Sequence, residues 1–366
     1  MTLTITAIIV AYFFAFNIGA SGSSAAMSVP YGSGAIKRRS IALLLCAGGI
    51  LAGAILGSGE VVETLSESLV PSEFITTQVV VIVLLSAAGT LFITNLMGIP
   101  LSTSEVTVGA IVGAGLSLHV LNLKTLAVIV AFWFIVPVAA FLASYLFSKG
   151  GGFLKKKRSK PLSPKLTKLA GPVLIAAGCL EAFAAGANNV GNAIGPLVGA
   201  GIVAPGFGVL TGGIIMALGV ILLGGNIIET GGKRIAKLSL SKGITVSGVS
   251  GMLVMGATVL GIPVPITQVT TSAIVGTSAA EKGVQIWKQP LIRLIISIWV
   301  ISPLLSMVVA YCLVEVFVRS SYYSVSIITC AILATIGIAR LATSISKTGI
   351  LSKSTKPAVI KNEEVL

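Results

Sequence analysis

The residues able to do chemistry in this 366-residue chain come in pairs, and each pair lies inside otherwise apolar sequence. The first pair is Asn17-Ile18-Gly19-Ala20-Ser21-Gly22-Ser23-Ser24 and Gly186-Ala187-Asn188-Asn189-Val190-Gly191-Asn192-Ala193. The second is Ser102-Thr103-Ser104-Glu105 and Thr267-Gln268, each just after a proline that can open a helix. Hydroxyls, amides and bare backbone N–H groups are donors, and a cluster of donors suits an anion rich in acceptor oxygens. Glu105 and Glu181 are the acidic residues deepest in apolar segments, where an ionisable group is costly and is a candidate for function. Either could carry a proton, and Glu105 is the stronger candidate because it sits in a motif. For any single residue here, interhelical packing is an equally good explanation; the duplication is what argues for a site.

The elements that must position these residues are membrane helices. The chain is 55% hydrophobic and 10% charged, with mean hydropathy +1.04, so its solvent is the bilayer. Runs such as Ser40 to Gly59, Thr77 to Gly98, Leu126 to Phe147, Phe207 to Ile228 and Leu291 to Val318 are long enough to cross as helices. Gly and Ser recur inside them, which permits close helix approach or local unwinding. The net charge of +14 sits in loops without interleaved aromatics, which argues for membrane orientation and against nucleic acid. Cys46, Cys179, Cys312 and Cys330 lack metal or redox spacing and read as small apolar residues. Ile5 to Phe16 has no basic leader and reads as a retained span, not a signal peptide.

The sequence repeats itself. Gly98 to Gly113 aligns with Gly261 to Gly276 at nine of sixteen positions, and Val61-Val62-Glu63-Thr64 aligns with Ile227-Ile228-Glu229-Thr230. Lys and Arg mark cytoplasmic loops, and the acidic loop after Glu60 has a basic counterpart after Glu229. The two halves are therefore read as inverted repeats, with the N-terminus outside and the C-terminus cytoplasmic. Expected boundaries are a first repeat at 1–148, a basic cytoplasmic linker at 149–168, a second repeat at 169–316, an extra helix at 317–346 and a cytoplasmic tail at 347–366. Each repeat has five net crossings, near 5–36, 40–60, 77–97, 103–121 and 125–147 in the first. Residues 5–36 and 169–203 are too long for one straight helix, so a broken or re-entrant helix is expected in both. The fold class is all-α and polytopic. Inverted repeats with interrupted helices place substrate at the midplane.

Over nearly the whole chain these motifs resemble the inorganic phosphate transporter family, whose halves each carry Gly-Ala-Asn-Asp-Val-Ala-Asn and Pro-x-Ser-Thr-Thr-His/Gln. Gly186 to Asn192 matches with Asn189 in place of aspartate; Gly19 to Ala25 keeps only its first two residues. Pro100 to Glu105 keeps the second motif with Glu in the His/Gln place, and Pro263 to Gln268 keeps the Gln. The divergence is closer to the CysP-type sulfate permease branch than to the phosphate members.

The resemblance implies a secondary transporter of an inorganic oxyanion, and the residues point to sulfate. The chain has no aspartate; all eleven acidic residues are Glu. Phosphate near neutral pH carries a proton that an acceptor carboxylate recognises, whereas sulfate carries none and a carboxylate repels it. Loss of both signature carboxylates also weakens a sodium site, leaving proton coupling as the leading expectation. The substrate site is placed on Ser21, Gly22, Ser23, Asn188, Asn189, Ser102, Thr103, Ser104 and Thr267. Glu105 and Glu181 are assigned to coupling, and Asn17, Ser24, Asn192 and Gln268 line the site. Glu63 and Glu229 are read as structural or gating residues, and His119 as interfacial. The alternatives are a sodium- or proton-coupled phosphate symporter and a selective anion channel. An intramembrane enzyme lacks any His cluster or Ser–His pairing. No cofactor is expected, and a homodimer is the assembly considered.

Overall fold

A computed structural model describes residues 1–96, 101–157, 164–229, 239–283, 290–323, 325, 326 and 329. Among them the structure is helical and contains no strand. It divides into two units, Met1–Val314 and Glu315–Leu366. In the second, Arg319 donates to Glu315 at 3.0 Å. Most of the extra helix expected at 317–346, and all of the tail at 347–366, lie outside the described residues.

In the first unit, α1 (Thr2–Ala20) ends at a break, followed by a 3₁₀ turn (Ser23–Met27) and α2 (Ser28–Gly32). Then come α3 (Arg39–Gly57), α4 (Gly59–Glu63), α5 (Thr77–Leu96), α6 (Thr103–Leu118) and α7 (Leu123–Lys157). The second half has α8 (Pro164–Gly199), α9 (Pro205–Leu223), α10 (described at 225–229), α11 (Leu240–Val259), α12 (Ile266–Lys282) and α13 (Pro290–Phe317). Helix thus extends into both ends of the basic segment at 149–168, and residues 158–163 lie outside the described set. Seven of these helical segments are long and apolar enough to cross a membrane. Large apolar side chains such as Phe134, Val138, Leu142 and Leu146 of α7 stay exposed, as helices facing hydrocarbon require.

Glycines let the halves interlock with dyad symmetry. Gly19 of α1 lies against the backbone of Met216 in α9, and its repeat equivalent Gly186 of α8 lies against the backbone of Ile50 in α3. Gly53 of α3 abuts Phe183 of α8, and the equivalent Gly219 of α9 abuts Phe16 of α1. Gly113 of α6 meets Met307 of α13, and Gly276 of α12 meets Phe141 of α7. At each contact a Cβ would overlap main-chain atoms, so only glycine permits the approach. Each half therefore packs its first helix on the second helix of the other.

The halves differ at the first polar pair. In the first, the chain breaks at Ser21 (φ −114°, ψ −100°). The hydroxyl of Ser21 there donates to Asn17 O at 2.7 Å and that of Ser24 to Ser21 O at 2.8 Å, competing with the backbone ladder. In the second, the interruption expected in 169–203 does not occur: α8 runs unbroken through Asn188, Asn189 and Asn192. Its amides bond to other helices and leave its own backbone ladder undisturbed.

Candidate functional site

The break after α1, the middle of α8 and the start of α6 meet in one buried polar network. Asn189 is its hub. Its Nδ2 donates to Ser23 Oγ at 3.0 Å, and its Oδ1 accepts from Thr103 Oγ1 at 3.0 Å and from Asn192 Nδ2 at 3.3 Å. Asn192 Nδ2 also reaches Ser104 Oγ at 3.3 Å, and Ser104 donates onward to Val264 O at 3.1 Å. Ser23 and Asn192 have no measurable exposure, and Asn192 Oδ1 is buried without a partner. Ser23 accepts from Asn189 and still has its own proton to give. Thr103 opens α6 behind its N-cap residue, the buried Ser102, so the positive end of the helix dipole and its free N–H groups point into the network.

The repeat-equivalent place is formed by Gly22, counterpart of Asn189, and Thr267, counterpart of Ser104. Among the described residues, the side-chain atom close to a Cβ built on Gly22 would be Thr267 Cγ2, at 3.7 Å. Thr267 lies in the first turn of α12, which supplies a second helix N-terminus. Two helix starts, one from each half, thus flank Gly22, Ser23 and Asn189, with no carboxylate in the hydrogen-bonded network.

The other predicted residues separate from it. Asn188 is fully engaged elsewhere: its Nδ2 donates to Thr258 Oγ1 at 2.9 Å and Ile262 O at 3.0 Å, and its Oδ1 accepts from Val264 N at 3.1 Å. It clamps the turn between α11 and α12. Asn17 Nδ2 returns to Phe13 O at 2.8 Å, so Asn17, Ser21 and Ser24 spend their side chains on local backbone.

The two carboxyls form separate centres. Glu105, 1% exposed, accepts from Gln268 Nε2 through Oε1, while its Oε2 makes no hydrogen bond of regular geometry and Ser302 stands beside the carboxyl. Glu105 and Gln268 are repeat equivalents, so this bond crosses the dyad. Glu181, 2% exposed, accepts from Thr270 Oγ1 at 2.7 Å, and its Oε2 makes no hydrogen bond of regular geometry, with Ser247 beside the carboxyl. Glu229 pairs with Arg39 at 3.4 Å on an exposed face, an arrangement worth little energetically. His119 caps α6 in the left-handed region, φ 60°.

Sequence reasoning passed over Thr258, Thr270 and Trp133, whose Nε1 donates to Pro263 O at 2.9 Å. Thr270 lies in the duplicated Val-Thr motif and was within reach; Thr258 and Trp133 have no motif to mark them.

Comparison with known proteins then places the chain. A model described as the phosphate transporter family matches residues 18–167 and 153–310. The chain belongs to the phosphate transporter family. It is 46% identical over 345 residues to the sulfate permease CysP of Bacillus subtilis, covering 94% of this chain and 97% of that one. A putative phosphate permease of Pyrococcus furiosus is 24% identical, over 81% of this chain and 91% of its own length. A solved structure of a sodium-dependent phosphate transporter gives a TM-score of 0.74 at 24% identity, covering 86% of this chain and 99% of that one. That likeness speaks to fold alone. The protein is a multi-pass membrane transporter of this family, not an enzyme.

Proposed function

We propose that this protein imports sulfate across the cell membrane by proton symport, alternating access to a single midplane site. The observation that carries the reading is the network around Asn189, which offers amide, hydroxyl and helix-terminal donors and contains no carboxylate. A fully deprotonated dianion is favoured there, because the network has no carboxylate to take the proton phosphate would bring, only neutral acceptors such as Asn192 Oδ1. The 46% identity to a sulfate permease over almost the full length supports the same substrate.

In this reading Ser23, Asn189, Asn192, Thr103 and Ser104 exchange their mutual hydrogen bonds for bonds to the anion, with Thr267 and the Gly22 backbone closing from the other half and Ser102 positioning α6. Asn188 holds the α11–α12 turn. Ser21, Ser24 and Asn17 shape the break. Glu105 carries the coupled proton, since its bond to Gln268 joins the two halves that must move, and Glu181 is the reserve candidate. The loop charges put the N-terminus outside and the C-terminus in the cytoplasm. Sodium coupling is the weaker alternative.

The test is uptake of labelled sulfate into proteoliposomes, first under a pH gradient without sodium, then under a sodium gradient at constant pH. Accumulation with the pH gradient, lost in Glu105→Gln while downhill exchange persists, is the expected result. Accumulation driven by sodium alone would overturn the coupling.

A further inference from the structure

The anion network occupies one side of α6, and a separate chamber opens on another. It measures about 700 Å³, inside the range of roughly 300–1,000 Å³ typical of small-molecule sites. Its walls follow the dyad: Val108 and Val112 of α6 are matched by their repeat equivalents Thr271 and Val275 of α12. Trp133 of α7 and Trp299 of α13 also line it. The outer lip is made by Phe134, Val138 and Leu142 of α7, which are 67%, 56% and 50% exposed on the lipid-facing surface. Glu105 and Gln268, the pair that bridges the halves, stand in its wall beside Thr271 and Ser272. Beside the carboxyl stands Ser302, whose buried hydroxyl makes no hydrogen bond of regular geometry, and Glu105 Oε2 makes none either.

We propose that this chamber is a binding site, entered sideways from the bilayer, for an uncharged amphiphile with a hydroxyl head and a single hydrocarbon tail. Each part of that ligand answers a feature of the chamber. Lipid-facing apolar walls take the tail. A hydroxyl can donate to Glu105 Oε2, a buried oxygen of a chamber-wall residue that makes no hydrogen bond of regular geometry. An anionic head would meet the carboxyl as a like charge whenever Glu105 is ionised. Bound there, the ligand wedges between α6 and α12 beside the bond that joins the halves, so it holds one arrangement and slows transport. The proposal rests on the chamber alone and stands whichever anion is carried.

The same route makes Glu105 a modification site for a hydrophobic carbodiimide. The carboxyl oxygen bonds to the central carbodiimide carbon and the carboxyl proton passes to one nitrogen. The O-acylisourea then rearranges to an N-acylurea with no group lost. The experiment treats the full chain in lipid vesicles, from acid to neutral pH, with dicyclohexylcarbodiimide or with a cationic water-soluble carbodiimide. Adducts are mapped by mass spectrometry, with and without excess long-chain alcohol or excess sulfate. The expected result is labelling of Glu105 by the hydrophobic reagent only, loss of the adduct in Glu105→Gln, and protection by the alcohol but not by sulfate. Glu181, equally buried but absent from the chamber wall, serves as the internal control and stays unlabelled. Protection by sulfate alone, or labelling by the water-soluble reagent, would assign Glu105 to the anion's aqueous route and overturn the proposal. So would labelling that the alcohol does not prevent. An unlabelled Glu105 at every pH would mean that the carboxyl is not reached from the bilayer, and that outcome also contradicts it.

Discussion

Asn189 stands where the family's signature has an aspartate, and at this position one atom separates two chemistries. An amide gives the network a donor toward Ser23; a carboxylate would supply only acceptors. Asn189→Asp is therefore expected to lower sulfate exchange by at least about tenfold, a loss of ~1.4 kcal/mol, and to raise phosphate competition, read from inhibition curves in proteoliposomes. Asn188 makes the opposite kind of prediction. Its amide satisfies two acceptors and one backbone donor in the α11–α12 turn, so Asn188→Ala strands buried backbone groups. The expected cost is about 1–3 kcal/mol of stability, visible as a lower thermal midpoint in detergent. The sequence makes the pair Asn188-Asn189 legible as functional but cannot divide the labour between neighbours, because that depends on which helix each side chain faces. Glu105 was legible from its motif. Its bond to its own repeat equivalent, Gln268, was visible only once the two halves were packed.

At the scale of elements, the duplication predicted the helix set and the dyad contacts follow it. Gly19 and Gly186 are equivalent in sequence and in packing, each pressed against main chain of the other half. Gly19→Val and Gly186→Val should each abolish folded, monodisperse protein on size-exclusion chromatography, while Gly48→Ala, a helical glycine with open space around it, should leave the elution unchanged. A break was expected in both first segments and is found in one. Ser21 and Ser24 bond back to their own carbonyls and disrupt helix, whereas Asn188, Asn189 and Asn192 find partners on other helices and leave α8 continuous. Composition alone marks both stretches as small and polar. The destination of each side chain decides which one unwinds.

For the whole molecule, the apolar spans and the duplicated motifs made the class of protein readable before any coordinates, and the family match over both halves agrees. Orientation belongs to this scale. Loop charge predicts that a cysteine introduced at Lys37 is protected from an impermeant maleimide in right-side-out vesicles, while one introduced at Glu67 is labelled; the reverse pattern would invert the protein. Glu105 faces the lipid-facing chamber and bonds to Gln268 outside the Asn189 network, so in the proposed mechanism coupling and recognition can be altered independently. The central claim is that the molecule is a carrier selective for sulfate, and counterflow tests it most directly. Vesicles loaded with unlabelled sulfate and diluted into a trace of labelled sulfate should accumulate label transiently above equilibrium, and external phosphate should not reduce the overshoot. A monotonic approach to equilibrium would indicate a channel, and an overshoot driven as well by loaded phosphate would contradict the selectivity assigned to Asn189 and Gly22.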